Sequence, residues 1–269
     1  MFSTNIIFYK IKNKDELAKK GENMEKYISK KEKASYGFAA VGSYMVAGIT
    51  QSYLMYFFTD ILIIPSAFVM MLMIVARVWD ALNDPMMGVI VDRTSTKYGK
   101  MRPYVLIGSF LMLVTTIVLF MPLTGAPTMF KMIFAAVSYI IFGMAYTLTD
   151  VPAMGLMSVA TPNSDERTSL LSFYVTVGSV GSLLPVGLLT IFQSFIPEKY
   201  VYFAMSIFVG IITSAAYLTL FKNSKERFST HTEKIAVRDM IKAAGKNKPM
   251  MMALLMSMAA SPRYLIMPA

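Results

Sequence analysis

The sequence contains no cysteine and a single histidine, His231, in 269 residues. Without cysteine there is no disulfide framework, no thiol chemistry and no sulfur ligand, and the redox compartment stays open. A lone imidazole with no second one to help it is a poor metal site, so His231 reads as a solvated loop residue. Charge is scarce too: Asp, Glu, Lys and Arg make up 16% of the chain against 55% hydrophobic residues, and the mean hydropathy is +0.53. A soluble domain of this length needs far less apolar surface for its core. The balance points to an integral membrane protein.

What the chain does have is long apolar runs. About 20 residues suffice to cross a ~30 Å hydrocarbon layer as helix, and such runs lie near 36–59, 66–91, 103–123, 132–160, 169–196 and 200–221. A seventh begins at Pro249 and reaches Ala269 with Pro262 and Arg263 inside it, so the chain is expected to be cut short within that span. The stretch up to Lys33 is too charged for a secretory signal and lacks an apolar core before a cleavage site. The residues from Lys19 to Asn23 can be encoded by a purine-rich stretch like a bacterial ribosome-binding site, so translation is expected to start at Met24. N-terminal sequencing that finds Met1 would refute that.

A net charge of +10 would suggest nucleic acid as partner of a soluble protein. Here the placement of the basic residues excludes that reading. Nine lysines precede Tyr36, Arg93, Lys97, Lys100 and Arg102 follow the second run, and eight basic residues lie from Lys222 to Lys248. The alternate loops carry only Lys131 and Lys199. The positive-inside rule then puts the N-terminus and the stretch after the sixth run on the cytoplasmic side of the plasma membrane. The loop with Asp165, Glu166 and Arg167 is net negative and follows only from the count of crossings. The division expected is a basic tail (1–35), a six-helix bundle (36–221), a cytoplasmic linker (222–248) and the start of a seventh helix (249–269).

Within the second run, Arg77, Asp80, Asn83 and Asp84 recur at spacings of three and four, which brings them to one helical face. A charge at the bilayer centre costs roughly 2.5–3.5 kcal/mol, so such groups usually face a cavity or an ion. Two carboxylates and an amide offer oxygen ligands to a hard cation, and their mutual repulsion would let one of them hold a proton instead. The alternative is a boundary position, since a rise of ~1.5 Å per residue from Pro65 places Asp84 about 28 Å along the helix. Arg77, one turn before Asp80, suits a charge-balancing partner. In the fourth run Asp150 follows Tyr146 by one turn and precedes Pro152. A carboxylate accepting hydroxyl hydrogens beside an aromatic face suits a sugar, although intramembrane tyrosines often only pack.

The string from Arg77 to Pro85, its continuation through Gly88, Asp92 and Arg93 to Tyr98-Gly99-Lys100-Met101-Arg102-Pro103, and the string Gly143–Pro152 together carry a resemblance. Over about 36–221 the sequence resembles the glycoside-pentoside-hexuronide:cation symporters, the melibiose permease group of the major facilitator superfamily. The resemblance implies a site for Na+, Li+ or a proton at Asp80, Asn83, Asp84 and Thr147, with no cofactor beyond the coupling cation and no transition metal. It implies a sugar contact at Asp150, with Tyr146 one turn earlier and Tyr44 on the first helix as further expected contacts. The pattern also departs from the family: Ser43 and Tyr44 stand in place of a lysine and a sugar-binding aspartate, Met154 in place of a tryptophan and Val175 in place of an arginine. A kept cation site with an altered sugar site implies shared coupling and a different substrate. Asp92, Arg93, Lys100, Arg102 and Arg167 resemble the family's cytoplasmic loop residues and imply a gate there, while Asn163 with Glu166 fits a helix capping pair.

The fold expected is all-α: the N-terminal six-helix bundle of a major facilitator transporter, made of two inverted three-helix repeats, plus part of a seventh helix. The function expected is cation-coupled symport of sugars or glycosides, with an absent C-terminal half as partner and the bilayer as solvent. Its rivals are a lysolipid symporter of the same branch, a membrane-embedded aspartate enzyme, and an inactive fragment. Gly178, Gly181 and Gly187 around Pro185 read as sites of close helix packing.

Overall fold

The computed structural model describes residues 27–228, apart from the side chains at 81 and 82, and the single position Met252. The tail before residue 27, most of the expected linker with His231, and the run 249–269 apart from Met252 lie outside the described residues. Six long helices make up the fold: α1 Lys30–Tyr56, α2 Ser66–Arg93, α3 Arg102–Leu119, α4 Thr128–Ala160, α5 Ser164–Gln193 and α6 Glu198–Asn223. Among the described residues they leave no strand.

Several helices begin before their apolar runs because polar residues set the ends. The Ser29 hydroxyl accepts the Glu32 N–H at 3.1 Å and starts α1 in a lysine-rich turn. Pro65, Pro127 and Pro197 stand at the N-caps of α2, α4 and α6, where a missing N–H costs nothing. Pro85, Pro152 and Pro185 lie inside α2, α4 and α5 without ending them, as is tolerated where other groups re-satisfy the freed carbonyls.

Five of the helices are long and apolar enough to cross a membrane; α1, at 27 residues, is long enough but too polar. Its position explains this. Gly37, Gly42, Gly48, Ser35, Ser43 and Thr50 of α1 are all buried, so neighbouring helices rather than lipid surround that face. The α1–α5 contact is tight: a Cβ on Gly181 would lie 2.8 Å from the Val41 carbonyl oxygen, and one on Gly48 would lie 2.7 Å from that of Ser182. Gly187, by contrast, faces open space.

The most extensive pairings join α1 to α5 and α6, α4 to α2 and α3, and α3 to α6. This pattern is unchanged when α1–α3 are exchanged for α4–α6. Both chain ends of the bundle, together with the α2–α3 and α4–α5 loops, lie at one end, called here the basic end. At the other end a π-helical turn, Phe57–Ile61, follows α1 and leads to Ile63 with φ +57°. The buried Lys131 amine, 6% exposed, donates to the Leu62 carbonyl at 2.9 Å and pins that turn to the start of α4.

Candidate functional site

Two apolar clusters fill the bundle, and a belt of polar side chains lies between them. On α1, Ala39 and Ala40 belong to one cluster and Met45 and Val46 to the other, with Ser43 between. On α4, Ala145 and Ala153 belong to different clusters, with Asp150 between.

The carboxylates of α2 meet α4. The Thr147 hydroxyl donates to Asp84 Oδ1 at 2.8 Å. One turn away, Asp80 Oδ1 comes so near Gly143 that a Cβ there would sit 3.2 Å from it. Residues 80 and 84 on α2 are thus in register with 143 and 147 on α4, and the absent side chain at Gly143 makes the approach possible. Asp84 is exposed and Asp80 half-buried. Arg77 Nη1 lies 3.9 Å from Asp80 Oδ2, with 56% of the arginine side chain exposed. Such a loose, wet pair contributes about 0–1 kcal/mol. The Asn83 Nδ2 and Trp79 Nε1 atoms are buried without a hydrogen-bond partner among the described residues. Chemically the arrangement presents carboxylate and hydroxyl oxygens from two helices around one region, a donor set suited to a hard cation.

Asp150 is a hub for four helices. Its Oδ1 accepts from the Ser43 hydroxyl of α1 at 2.9 Å, and at longer range from Tyr174 of α5 at 3.4 Å and Tyr217 of α6 at 3.5 Å. Tyr146 bonds to Ser43 Oγ at 3.1 Å. Tyr44 lies edge-on to Tyr174, centroids 6.2 Å apart, and over Gly178. Tyr146, Asp150 and Tyr44, all read from the sequence as sugar contacts, therefore already have partners within this bundle. Tyr174 and Tyr217 were not anticipated. The signal available was a lone carboxylate inside α4, which needs donors from other helices if it is not to stand unpaired.

The residues expected at a cytoplasmic gate lie at the basic end, in or beside the α2–α3 loop and at the start of α5. The side chains of Asp92 and Arg93 are exposed and have no hydrogen-bond or ionic partner among the described residues. Arg102 donates from Nη2 to the Phe221 carbonyl at 2.7 Å and stacks its guanidinium over the Phe221 ring. Arg167 reaches the Thr161 carbonyl at 3.4 Å. Lys100 contributes its backbone N–H, which with those of Met101 and Arg102 donates to the Glu226 carboxylate at 2.8, 2.8 and 2.9 Å. Next to it, Arg227 makes a two-pronged pair with Glu32 at 2.7 and 2.9 Å. That pairing holds the Arg227 guanidinium above its ordinary value.

Half of the expected capping pair forms. Asn163 Oδ1 accepts the Asp165 and Glu166 N–H groups. Glu166 does not reach back to the Asn163 N–H, which bonds to Thr161 instead. Its carboxylate takes the N–H groups of Tyr27 and Ile28 and the Thr161 hydroxyl. Burial works to raise the Glu166 carboxyl, but those three donors outweigh it and hold the group below the usual carboxylate range.

Residues 35–269 match the family described as MFS/sugar transport protein. The chain is 33% identical over 248 residues to the uncharacterised symporter YjmB of Bacillus subtilis, covering 89% of this chain and 53% of that protein. It is 29% identical over 227 residues to the inner membrane symporter YicJ of Escherichia coli, covering 82% and 48%. It is 28% identical over 225 residues to the isoprimeverose transporter of Lactiplantibacillus pentosus, covering 81% and 47%. The chain spans about half the length of these relatives.

Proposed function

The chain belongs to the MFS/sugar transport protein family, and we propose that it supplies the cation site and one wall of the substrate site of a symporter for sugars or glycosides. The coupling ion is Na+, Li+ or a proton, and the substrate passes by alternating access against a second half that completes the cavity. One observation carries this reading: the Thr147 hydroxyl of α4 lies on the Asp84 carboxylate of α2, one turn from Asp80 over Gly143. In this reading Asp80, Asn83, Asp84 and Thr147 hold the cation, and Arg77 offsets charge while the site is empty.

Asp150 with Tyr146 and Tyr44 forms the sugar wall. A sugar hydroxyl replaces one of the long tyrosine contacts at Asp150, since exchanging a weak donor for a substrate donor loses little. The distribution of Lys and Arg supports a multi-pass protein of the plasma membrane with its N-terminus and basic end in the cytoplasm. Relatives named as symporters and a transporter favour transport over an aspartate enzyme.

The test is solute uptake by the protein as its gene encodes it, in vesicles with imposed Na+, Li+ or proton gradients. Asp84→Cys should abolish cation-stimulated binding, and Asp150→Asn should weaken sugar binding while cation binding stays measurable. Unchanged cation dependence in both Asp80 and Asp84 variants overturns the coupling assignment. Competition by lysolipids with none by a panel of glycosides overturns the sugar assignment.

A further inference from the structure

The segment directly after α6 grips the bundle in two directions at adjacent residues. Glu226 faces α3, a helix with no side-chain cap from its own N-terminal residues. Its carboxylate fills that role from across the chain, collecting the N–H groups of Lys100, Met101 and Arg102. The first turn of a helix presents unpaired donors and a partial positive charge, so an anion there is held firmly. The α2–α3 loop is shaped to receive it: Gly99 has φ +105°, and a Cβ at Gly99 would overlap the Glu226 carboxylate. Arg227 faces the opposite way. Its guanidinium clamps Glu32 at the start of α1, while the backbone N–H groups of Arg227 and Phe228 donate to the Val159 carbonyl near the end of α4 at 3.2 and 3.1 Å.

We propose that Glu226 is a positioning residue that holds the α2–α3 loop in its working place, with Arg227 anchoring the other side of the clasp to α1 and α4. The inference rests on the transporter reading only for its consequence: Arg93, Lys97 and Lys100 in or beside that loop act at a cytoplasmic gate only while the loop is fixed. A displacement of Glu226 and the position of the loop are then linked, because one carboxylate holds the N–H groups of Lys100, Met101 and Arg102. Glu226 touches neither of the candidate ligand sites. Its loss should lower the maximal rate of transport and leave substrate KM near its original value.

The absence of cysteine provides a clean readout. Lys97→Cys places a thiol in the exposed loop, and Ser194→Cys places one at the opposite end of the bundle. The rate of labelling by a maleimide is measured for each in detergent-solubilised protein, where both ends of the bundle are accessible, in otherwise unchanged protein and in Glu226→Gln, which keeps the shape and removes the charge. Labelling at 97 should rise about fivefold or more, an effect of the size seen on removing a helix cap, with the rate at 194 unchanged. Glu226→Asp, which keeps the charge, should restore part of the difference. Equal rates at 97 in Glu226→Gln and in the parent overturn the proposal. Equal increases at 97 and 194 also overturn it, because Glu226 then supports the whole fold instead of the loop. Neither result depends on what the protein transports.

Discussion

Thr147→Val removes one hydroxyl from the proposed cation site and little else. Thr147 is 5% exposed, so the valine keeps the packing and deletes the 2.8 Å hydrogen bond to Asp84. A hydrogen bond to a charged group contributes about 1.5–3 kcal/mol, which corresponds to a factor of roughly 10–150 in an equilibrium constant. Asp84 is exposed, so water replaces part of what is lost and the lower end applies, near tenfold. The direction depends on what the oxygen does. A hydroxyl that donates its hydrogen to Asp84 still has two lone pairs free, and these can face a cation held between Asp80 and Asp84. The bond to Asp84 is kept with and without the ion and so cancels. What binding loses is the contact of the free lone pairs with the cation, a charge-assisted contact of the same class, so cation affinity should fall about tenfold in Thr147→Val and stay close to the parent value in Thr147→Ser. Trp79, adjacent to Asp80 and the one tryptophan of the sequence, gives a fluorescence signal for Na+ and Li+ titrations; calorimetry gives a second. A Thr147→Val protein that binds cations as tightly as the parent, or more tightly, refutes the argument, the second result because the hydroxyl would then be competing with the ion.

Two other outcomes follow from packing and from charge. Gly181→Ala pushes a methyl against the Val41 backbone, 2.8 Å from its oxygen and 2.9 Å from its Cα, and overpacking against atoms that cannot rotate away costs about 1–3 kcal/mol; Gly181→Ala should melt earlier in detergent than Gly187→Ala, and equal midpoints would show that α1 and α5 have slack. Because the folded-state value of Glu166 is lowered, its contribution is complete above the unfolded value near ~4.3 and is lost as pH falls through the folded value. Protection of the Ile28 amide from hydrogen exchange should accordingly persist at neutral pH, disappear in acid, and be absent at both in Glu166→Gln. Protection of Ile28 that survives acid would mean that another group holds it.

The parts that could be read from the sequence were those that depend on short spacings. Asp80 and Asp84 lie one turn apart, so their shared face followed from spacing, whereas Thr147 as their partner on α4 came only from the resemblance of the string Gly143–Pro152, and the close approach at Gly143 was not foreseen. Helix ends were legible where a cap residue stood close by, as with Asn163. The contacts missed at the basic end join residues far apart in the chain. Nothing about Glu226 in a polar stretch distinguishes a carboxylate that caps α3 from one in water, and Glu32 looks like one more charge in a lysine-rich tail. Arg93, conspicuous in its motif, has no partner among the described residues, while Arg227, in a stretch that reads as linker, makes the strongest ion pair described. The Asp150 hub was half legible: the carboxylate stood out, but Tyr174 and Tyr217 resemble the many tyrosines that simply pack.

The pairing of the helices has a consequence for how the protein is made. Helices α1, α2 and α3 share little surface with one another; the main partners of α1 are α5 and α6, and that of α2 is α4. During synthesis α1 thus emerges with its glycine- and hydroxyl-rich face unmatched, and it is the one helix of the six too polar to qualify as a span by composition. It relies less on its own apolarity than the other five do and more on the helices that arrive later. Shelter at the site of insertion until the ribosome has delivered α5 and α6 would keep that face from lipid. A nascent chain arrested before α5 should leave α1 in contact with the insertion machinery, and one arrested after α6 should release it, so the first helix of the bundle settles only when its fifth and sixth have been delivered.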